Sequence, residues 1–450
     1  MQHEAVIITA TFVDEMWLQK RFWSYPKKRR VNVFILPGYT EHFEEDGILY
    51  VSSKLFRNNV KISDKALQKE FYELLRCGGC ASVSSPLTKL LHEQGLIGNE
   101  EEISAALSEA IKLLNNHLLL TIMPTEGCNF RCPYCYESHT PISMTRSTID
   151  KILKYISERI ADFQYIHVGW FGGEPTLCKD TILECNDFIQ NLSDKFHCIF
   201  QSNMTTNGYL LDEASFKQYY LSGITSYQVT LDGWEHDKTR PHISGKKTLD
   251  TIIGNLIGIS KLPKEQYQFN ITLRRNILEN DNDMSWYDYL HKLFGADERF
   301  KVAVYPVGNW GGETVEKLNL IKLADRDALL LKHIDYLDKI GMRRGNGRCQ
   351  PFEKICYACY PHSMVFRASG KIEKCTVALD EPKNLLGRVD DEEGVILNEE
   401  INRLWSSCNL KKECYTCPDV LSCFNLSCKK DVVIKACSNH KCTPAASKIY

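Results

Sequence analysis

The sequence predicts an α/β protein built on an open, partial (β/α)6 barrel, with a small α+β module before it and a cysteine-dense segment after it. Three observations predict this. Between about residues 118 and 340, short apolar β-rich runs alternate with amphipathic helical ones. The residues before that stretch read instead as a few strands followed by helices, and from about residue 345 long periodic segments give way to turns and cysteines. The boundaries expected from these shifts are 1–115, 116–342 and 343–450.

The chain is 450 residues long and 43% apolar, enough to bury a sizeable core in two or three domains. Its 55 basic residues against 57 acidic ones give a net charge of -2, which offers no broad attraction for nucleic acid or an anionic membrane. The start MQHEAVIITATFV has no basic residues ahead of an apolar stretch, and no later run reaches eighteen uninterrupted apolar residues. A cytoplasmic protein without nucleic-acid or membrane partners is expected.

In the first module the strands are AVIITATFV, VNVFILPG and ILYVSS, and the helices include ALQKEFYELLR and EEISAALSEAIKLL. The barrel strands are LLLTIMPT, IHVGWFGG, CIFQSNMTT, SYQVTLDG, YQFNITLRR and KVAVYPVG, each followed by a helical pattern such as STIDKILKYISERI. In parallel βα architectures ligands bind where the strands' carboxyl ends open. The unusual residues do sit at those ends: a cysteine triplet after the first strand, Gly172-Gly173-Glu174-Pro175 after the second, Thr206-Asn207-Gly208 after the third and Asp232-Gly233 after the fourth.

Nineteen cysteines exceed what packing needs, and a reducing compartment argues against disulfides, so metal is the natural explanation. None lies between Cys198 and Cys349, whereas eleven fall from Cys349 onward, which separates two metal regions. In CNFRCPYC, Cys128, Cys132 and Cys135 are close enough to bind three corners of a cubane and leave the fourth iron open. A zinc or closed-cluster site completed by a distant cysteine is the alternative. Gly172 and Gly173 lack a Cβ and let backbone approach a ligand, while Glu174 offers an acceptor for an ammonium. Thr230 can hydrogen-bond a ribose. Arg240 can pair with a carboxylate through its planar fork; a surface salt bridge is its plainer reading, and Arg274 or Arg275 could substitute for it. Asn207 reads as a turn-former accepting positive φ beside the ligand.

The CX3CX2C spacing after a first strand, with Tyr134 before the third cysteine, resembles the radical S-adenosylmethionine superfamily over roughly residues 118 to 340. The resemblance implies a 4Fe-4S cluster on Cys128, Cys132 and Cys135 whose open iron is chelated by S-adenosylmethionine. It also implies an external one-electron donor such as flavodoxin or ferredoxin, whose electron cleaves the sulfonium to a hydrogen-abstracting 5'-deoxyadenosyl radical. Gly172, Gly173 and Glu174 resemble the family's GGEP motif, which implies contact with the cofactor's amino group. QVTLDGWEHDKTR resembles the peptide-modifying branch, which implies S-adenosylmethionine contacts for Thr230 and Arg240, although the intervening loop is about two residues short.

The order Cys356, then Gly370 and Cys375 as GX4C, then Cys414, Cys417, Cys423 and Cys428, resembles a SPASM domain, with a last gap of four residues where that family usually has three. This implies two auxiliary 4Fe-4S clusters and three in all. The first would be held by Cys356, Cys375 and Cys428 with Cys349, its rival being Cys359. The second would be held by Cys414, Cys417 and Cys423 with Cys442, its rival being Cys437. Zinc knuckles are the alternative. Cys77 and Cys80 read as incidental, and Cys178, Cys185, Cys198 and Cys408 as packing residues.

SPASM relatives mostly act on peptides, and the N-terminal module resembles a winged-helix element that holds a leader peptide as an added strand; a simple capping domain is the alternative. Sulfatase-maturing relatives place an Asp base directly after the cysteine that closes GX4C. Here that position is Thr376, a poor base at neutral pH. Oxidative crosslinking of a ribosomally made precursor peptide, through a thioether or a carbon–carbon bond, is therefore the leading expectation. An iron–sulfur electron carrier or sensor would need neither GGEP nor the adenosyl-binding barrel.

Overall fold

A computed structural model of the chain describes residues 5–8, 33–35, 40–53, 59–76, 80–82, 85–105, 114–278, 281–309, 314–318, 320–345, 356–406 and 430–434. The N-terminal module holds β1 (Ala5–Ile8), β2 (Val33–Ile35), β3 (Thr40–Glu45), β4 (Ile48–Ser53), β5 (Asn59–Ile62), α1 (Lys65–Arg76), β6 (Cys80–Ser82) and α2 (Pro86–Glu93). Its main sheet is antiparallel in the order β1-β5-β4-β3. The β3–β4 hairpin turns at Asp46 and Gly47, both at positive φ (51° and 73°), the backbone that an Asp-Gly pair adopts readily. That turn builds a strand from TEHFEE, whose polar sequence gave no apolar signal. Leu49, Val51, Val60 and Ile62 alternate inward and pack on Phe71, Leu74, Leu87 and Leu91 of the two helices.

The six barrel strands form where expected: β7 (His117–Ile122), β8 (Tyr165–Trp170), β9 (Ile199–Thr206), β10 (Ile224–Thr230), β11 (Asn270–Ile277) and β12 (Phe300–Pro306), all parallel and adjacent in chain order. Helices α3 (Arg146–Arg159), α4 (Lys179–Phe196), α5 (Glu213–Leu221), α6 (Leu249–Ser260) and α7 (Ser285–Phe294) supply the crossovers. Period-two alternation divides the residues: Leu118, Leu120 and Ile122, with Ile166, Val168 and Trp170, join the buried core, while Thr121, Gly169, Asn203 and Thr205 line a cavity on the opposite face. Beyond β12 runs α8 (Leu323–Lys339).

The cysteine-dense segment is less self-contained than its composition predicts. Its β13 (Ser363–Phe366) pairs in parallel with β7, Ser363 opposite Leu119 and Phe366 opposite Ile122. Strands β14 (Lys371–Glu373), β15 (Leu385–Asp390) and β16 (Gly394–Leu397) continue antiparallel, so one ten-stranded sheet crosses the 342/343 boundary. Met364, Phe366, Ile372 and Leu386 bury into the barrel's own core, and α9 (Glu399–Ser406) contributes Trp405 to a small local cluster with Ala358 and Cys375. The segment thus stabilises itself by borrowing the barrel's edge.

A buried ion pair locks this junction. The Arg367 guanidinium donates to both oxygens of Glu126 (3.1 and 2.6 Å) and lies 2.9 Å from an Asp380 carboxylate oxygen. Lys374, fully buried, donates to the carbonyls of Tyr360 and Ser363 (2.8 and 3.1 Å). Among the described residues no helix is long and apolar enough to cross a membrane.

Candidate active site

The loop after β7 carries Cys128, Cys132 and Cys135, all half-buried. Short-range bonds shape it: the Arg131 guanidinium donates to the carbonyls of Cys128 and Phe130 (both 2.7 Å), the Cys135 amide donates to Cys132 O (3.0 Å), and the Phe130 amide to Cys128 Sγ (3.3 Å). Burial, reinforced by Glu174 at Cys128 and by Glu137 at Cys135, pushes both thiols up to about 12. Thiolates in such a place need a compensating cation. Among the described residues no three His, Cys, Asp or Glu side chains are grouped to hold a single metal ion. A cubane places each thiolate on its own iron, so the triplet suits a cluster better than one zinc.

The two glycines after β8 do let backbone approach closely, but what approaches is the cysteine loop. A Cβ on Gly172, whose φ is +114°, would lie 2.4 Å from Thr125 O, and one on Gly173 would lie 2.1 Å from Gly127 O. The amides of Gly173 and Glu174 donate to those same two carbonyls (3.2 and 2.9 Å). The second strand end is thereby stitched to the first.

Glu174, expected to accept from an ammonium, is engaged by the protein itself. It is 1% exposed, and both carboxylate oxygens already accept from the protein: Thr176 N (3.1 Å), Thr176 Oγ1 (2.6 Å), Thr206 Oγ1 (2.6 Å) and the Asn207 amide (2.7 Å). Burial pushes this carboxyl up while the four donors pull it back. Glu174 therefore ties the second strand end to the third. Asn207 is corrected, because the positive φ falls on Gly208 (+79°). The Asn207 side chain donates to Asn129 Oδ1 (2.7 Å) and accepts from the Tyr209 amide (2.9 Å), which locks the third strand end to the cysteine loop.

Thr230 is buried at the end of β10, opposite Arg274 in register. Arg240 is 8% exposed, which removes the surface salt-bridge reading. Its guanidinium lies over the Phe130 ring (5.6 Å) and donates to the Tyr134 hydroxyl (2.9 Å), which in turn donates to Asp232. Thr239 Oγ1 (3.1 Å) and Asn276 Nδ2 (3.1 Å) also donate to Asp232, and Asn276 Nδ2 reaches Tyr134 (3.1 Å). Burial works against the charge on Arg240, but Cys132, Tyr134 and Asp232 hold it protonated well above the usual range. Its Nε is buried with no partner, a donor pointed at an absent acceptor, which fits an anionic ligand group such as a carboxylate. Arg275 donates to Asp281 (2.7 Å) and the Asp283 carbonyl (3.0 Å) while its own Nε is also buried without a partner, and Arg274 donates to Asn276 (2.9 Å) and lies over the face of Tyr305 (4.4 Å). Sequence reasoning passed over Asp232, Thr239, Asn276 and Asn129 as side chains; the signal that could have found Asp232 and Asn276 is their place at the ends of β10 and β11.

On the barrel face of the sheet, Thr121, Gly169, Asn203 and Thr205 line a cavity of about 150 Å³ that Tyr357 and Thr376 close from the C-terminal segment. Among the described residues none of those lining it is charged. The Tyr357 hydroxyl accepts from the Thr376 amide (2.7 Å) and bonds its hydroxyl (2.8 Å).

Cys356 is half-buried, and Cys359 and Cys375 are buried nearby, where Asn384 accepts the Cys375 amide (2.8 Å). Cys77, Cys349, Cys408, Cys414, Cys417, Cys423, Cys428, Cys437 and Cys442 lie outside the described residues. Cys185 and Cys198 pack in or against the barrel core, Cys198 Sγ reaching carbonyls such as Phe163 O (3.1 Å), while half-buried Cys178 lies near Pro124 O (3.8 Å) and Ser143 Oγ (3.7 Å).

A parallel βα sheet whose first loop presents an open three-thiol set, with a buried arginine aimed at an anion beside it, defines a domain class. Residues 122–283 match the family model described as the Radical SAM superfamily, and this chain carries a radical SAM domain. Such a domain implies S-adenosylmethionine and a 4Fe-4S cluster. The chain is similar to GTP 3',8-cyclase of Pasteurella multocida, with 26% identity over 285 residues covering 57% of this chain and 77% of that enzyme. The same enzyme of Haemophilus influenzae is 28% identical over 283 residues, with the same two shares. Among solved structures, Streptococcus suis SuiB bound to precursor peptide SuiA is similar in fold at a TM-score of 0.50 and 14% identity, covering 89% of this chain and 96% of that one. The protein anSMEcpe with bound AdoMet is similar at a TM-score of 0.50 and 20% identity, covering 68% and 84%.

Proposed function

We propose that this radical SAM enzyme oxidatively crosslinks a ribosomally made precursor peptide, forming a thioether or a carbon–carbon bond. The observation that carries the reading is the uncharged cavity beneath the strand ends. Thr121, Asn203 and Thr205 offer hydroxyls and an amide, suited to peptide groups. A triphosphate there would meet no cation among the described lining residues, which weighs against the GTP chemistry named for the similar cyclases. Thr376 in this wall carries no carboxylate, which weighs against a sulfatase-maturing base.

In this reading Cys128, Cys132 and Cys135 hold the cluster, and the unpartnered Nε of Arg240 receives the carboxylate of S-adenosylmethionine. Tyr134, Asp232 and Asn276 fix the guanidinium, and Thr230 faces the same strand-end region. Once bound, the two groups supply the power to remove hydrogen from an unactivated carbon, given one electron from an outside donor. Two auxiliary clusters on Cys356, Cys375 and the cysteines after Cys408 would accept the electron that a net oxidation releases. The N-terminal sheet ends on β3, which has no further strand beside it among the described residues, an edge suited to adding a leader peptide.

Anaerobic reconstitution with S-adenosylmethionine and dithionite tests this. About twelve irons per chain are expected for three clusters, against about four for one. Production of 5'-deoxyadenosine and loss of two hydrogens from the peptide encoded beside the gene are expected; conversion of GTP without peptide would sink the peptide reading.

A further inference from the structure

We propose that the turn at residues 241–247, together with Arg131, is the surface on which an acidic one-electron donor protein docks. The proposal rests on the radical SAM reading, which requires an electron from outside. The step is simple in balance: the donor's reduced flavin or iron–sulfur group loses one electron, the cluster on Cys128, Cys132 and Cys135 gains it, and no bond or proton moves.

Position is the first support. The turn lies directly on the cysteine loop: the Arg131 amide donates to Pro241 O (2.8 Å), the Ile243 amide donates to Asn129 O (2.9 Å), and Phe130 pairs with His242 as an antiparallel bridge. An electron arriving at Ile243 is one hydrogen bond from the residue next to Cys128.

Exposure is the second. Arg131 is the exposed residue of the cysteine loop between Cys128 and Cys135, the others being buried or half-buried. Beside it Ile243 stands 60% exposed, and Ser244, Gly245, Lys246 and Lys247 are exposed as well. Gly245 has φ +71°, and a Cβ there would meet nothing within 4 Å, so the tip projects outward. An apolar residue left in the open within a small polar rim is the composition of a transient electron-transfer contact.

Charge is the third. Arg131, Lys246 and Lys247 are cationic, and neither lysine forms an ion pair among the described residues. The nearest acid in sequence, Asp250, is exposed three residues after Lys247 and pairs with neither lysine among the described residues, while Asp237 already accepts from the Thr248 amide and hydroxyl and the Leu249 amide (2.7, 3.2 and 3.2 Å), and Glu235 is paired with Lys238. On a chain of net charge -2 this patch is a local feature, and it complements an acidic partner.

The test uses the full chain, reconstituted, with a reduced acidic flavodoxin as the probe. The double variant Lys246→Glu/Lys247→Glu is expected to lower flavodoxin association, read by biolayer interferometry, and the stopped-flow bleaching rate of the cluster by about tenfold or more at low ionic strength. The difference should close toward about 0.5 M salt, where exposed charges are screened. Formation of 5'-deoxyadenosine driven by dithionite should be unchanged. Should the glutamate pair fail to fold, Lys246→Gln/Lys247→Gln carries the same test with a smaller loss. Association and bleaching within about twofold of the parent would overturn the proposal, as would weakened binding of the precursor peptide with flavodoxin unaffected, since the surface would then belong to substrate. A parent enzyme that makes no 5'-deoxyadenosine with dithionite would instead remove the radical reading beneath it.

Discussion

Gly173→Ala puts the stitched strand ends to a quantitative trial. The residue has no unusual φ, so the new methyl group acts by sterics alone. It would sit 2.1 Å from Gly127 O, 2.5 Å from Gly127 C and 2.6 Å from Glu126 O, all backbone atoms that no rotamer change can clear. Ordinary contact for a Cβ begins at 3.4 Å, so the cysteine loop must retreat by about 1.3 Å at that point. Overpacking of this kind costs about 1–3 kcal/mol, and the Glu174 amide bond to Gly127 O (2.9 Å) would be lost at about 1 kcal/mol more. A shift of about 1 Å in a positioned group lowers rates by roughly 100-fold. Thermal denaturation, iron content after reconstitution and the rate of 5'-deoxyadenosine formation read the three consequences. Gly254→Ala is the control: nothing lies within 4 Å of a Cβ there, and alanine inside α6 should add about 0.5–1 kcal/mol of stability. Parental melting, iron content and rate in Gly173→Ala would refute the close-approach account.

Two further outcomes follow from groups away from the cysteine loop. Arg367→Leu leaves Glu126, 4% exposed, as a buried charge without its partner, and should cost about 3–5 kcal/mol in denaturant unfolding. Adding Glu126→Gln should recover part of it, and an unchanged double variant would show the pair is not the lock. Fully buried His333 accepts from Tyr287 Oη (2.7 Å) at Nδ1 and donates to Asp281 O (2.9 Å), and burial, aided by Arg275, lowers its pKa to about 4. The unfolded chain binds a proton near pH 6.5 that the folded chain refuses, so this contribution is complete above that pH and falls away between 6.5 and 4. The drop is worth about 3 kcal/mol, and His333→Gln should flatten it; identical pH slopes would contradict the assignment.

Local sequence carried the barrel well, because each of its six strands is an apolar run closed by a turn and followed by a helical period, and the cysteine triplet and GGEP fall at two of those closures. What it could not carry is pairing over distance. The four residues of SMVF announce a short buried run, yet nothing local says that they lie beside β7. Tyr134, Asp232, Arg240 and Asn276 come from separate loops and strand ends, and only the register of β10 and β11 brings them together. The motif predicts an acceptor at Glu174 and a positive-φ turn at Asn207, but not the distant partners: the Thr206 and Asn207 donors at Glu174 and the Asn129 contact of Asn207 come from pairing across the strand ends. The hairpin strand β3 was hidden for a different reason, since its order comes from the Asp46–Gly47 turn and not from its side chains.

The pairing of β13 with β7 also has a consequence in time. A ribosome delivers β7 and its cysteine loop early, while the strand that flanks β7 comes from residues 363–366. Glu126 and Arg367, which lock that flank, are 241 residues apart. At about 5–20 residues per second, β7 stands as an unpaired edge for some tens of seconds, with Leu119 and Thr121 offering open backbone groups to any passing strand. Parallel closure over such a separation is slow by nature. The nascent cysteine loop therefore hangs from the least finished margin of the sheet, where a chaperone or an early-bound cluster would do most to keep the growing chain from aggregating.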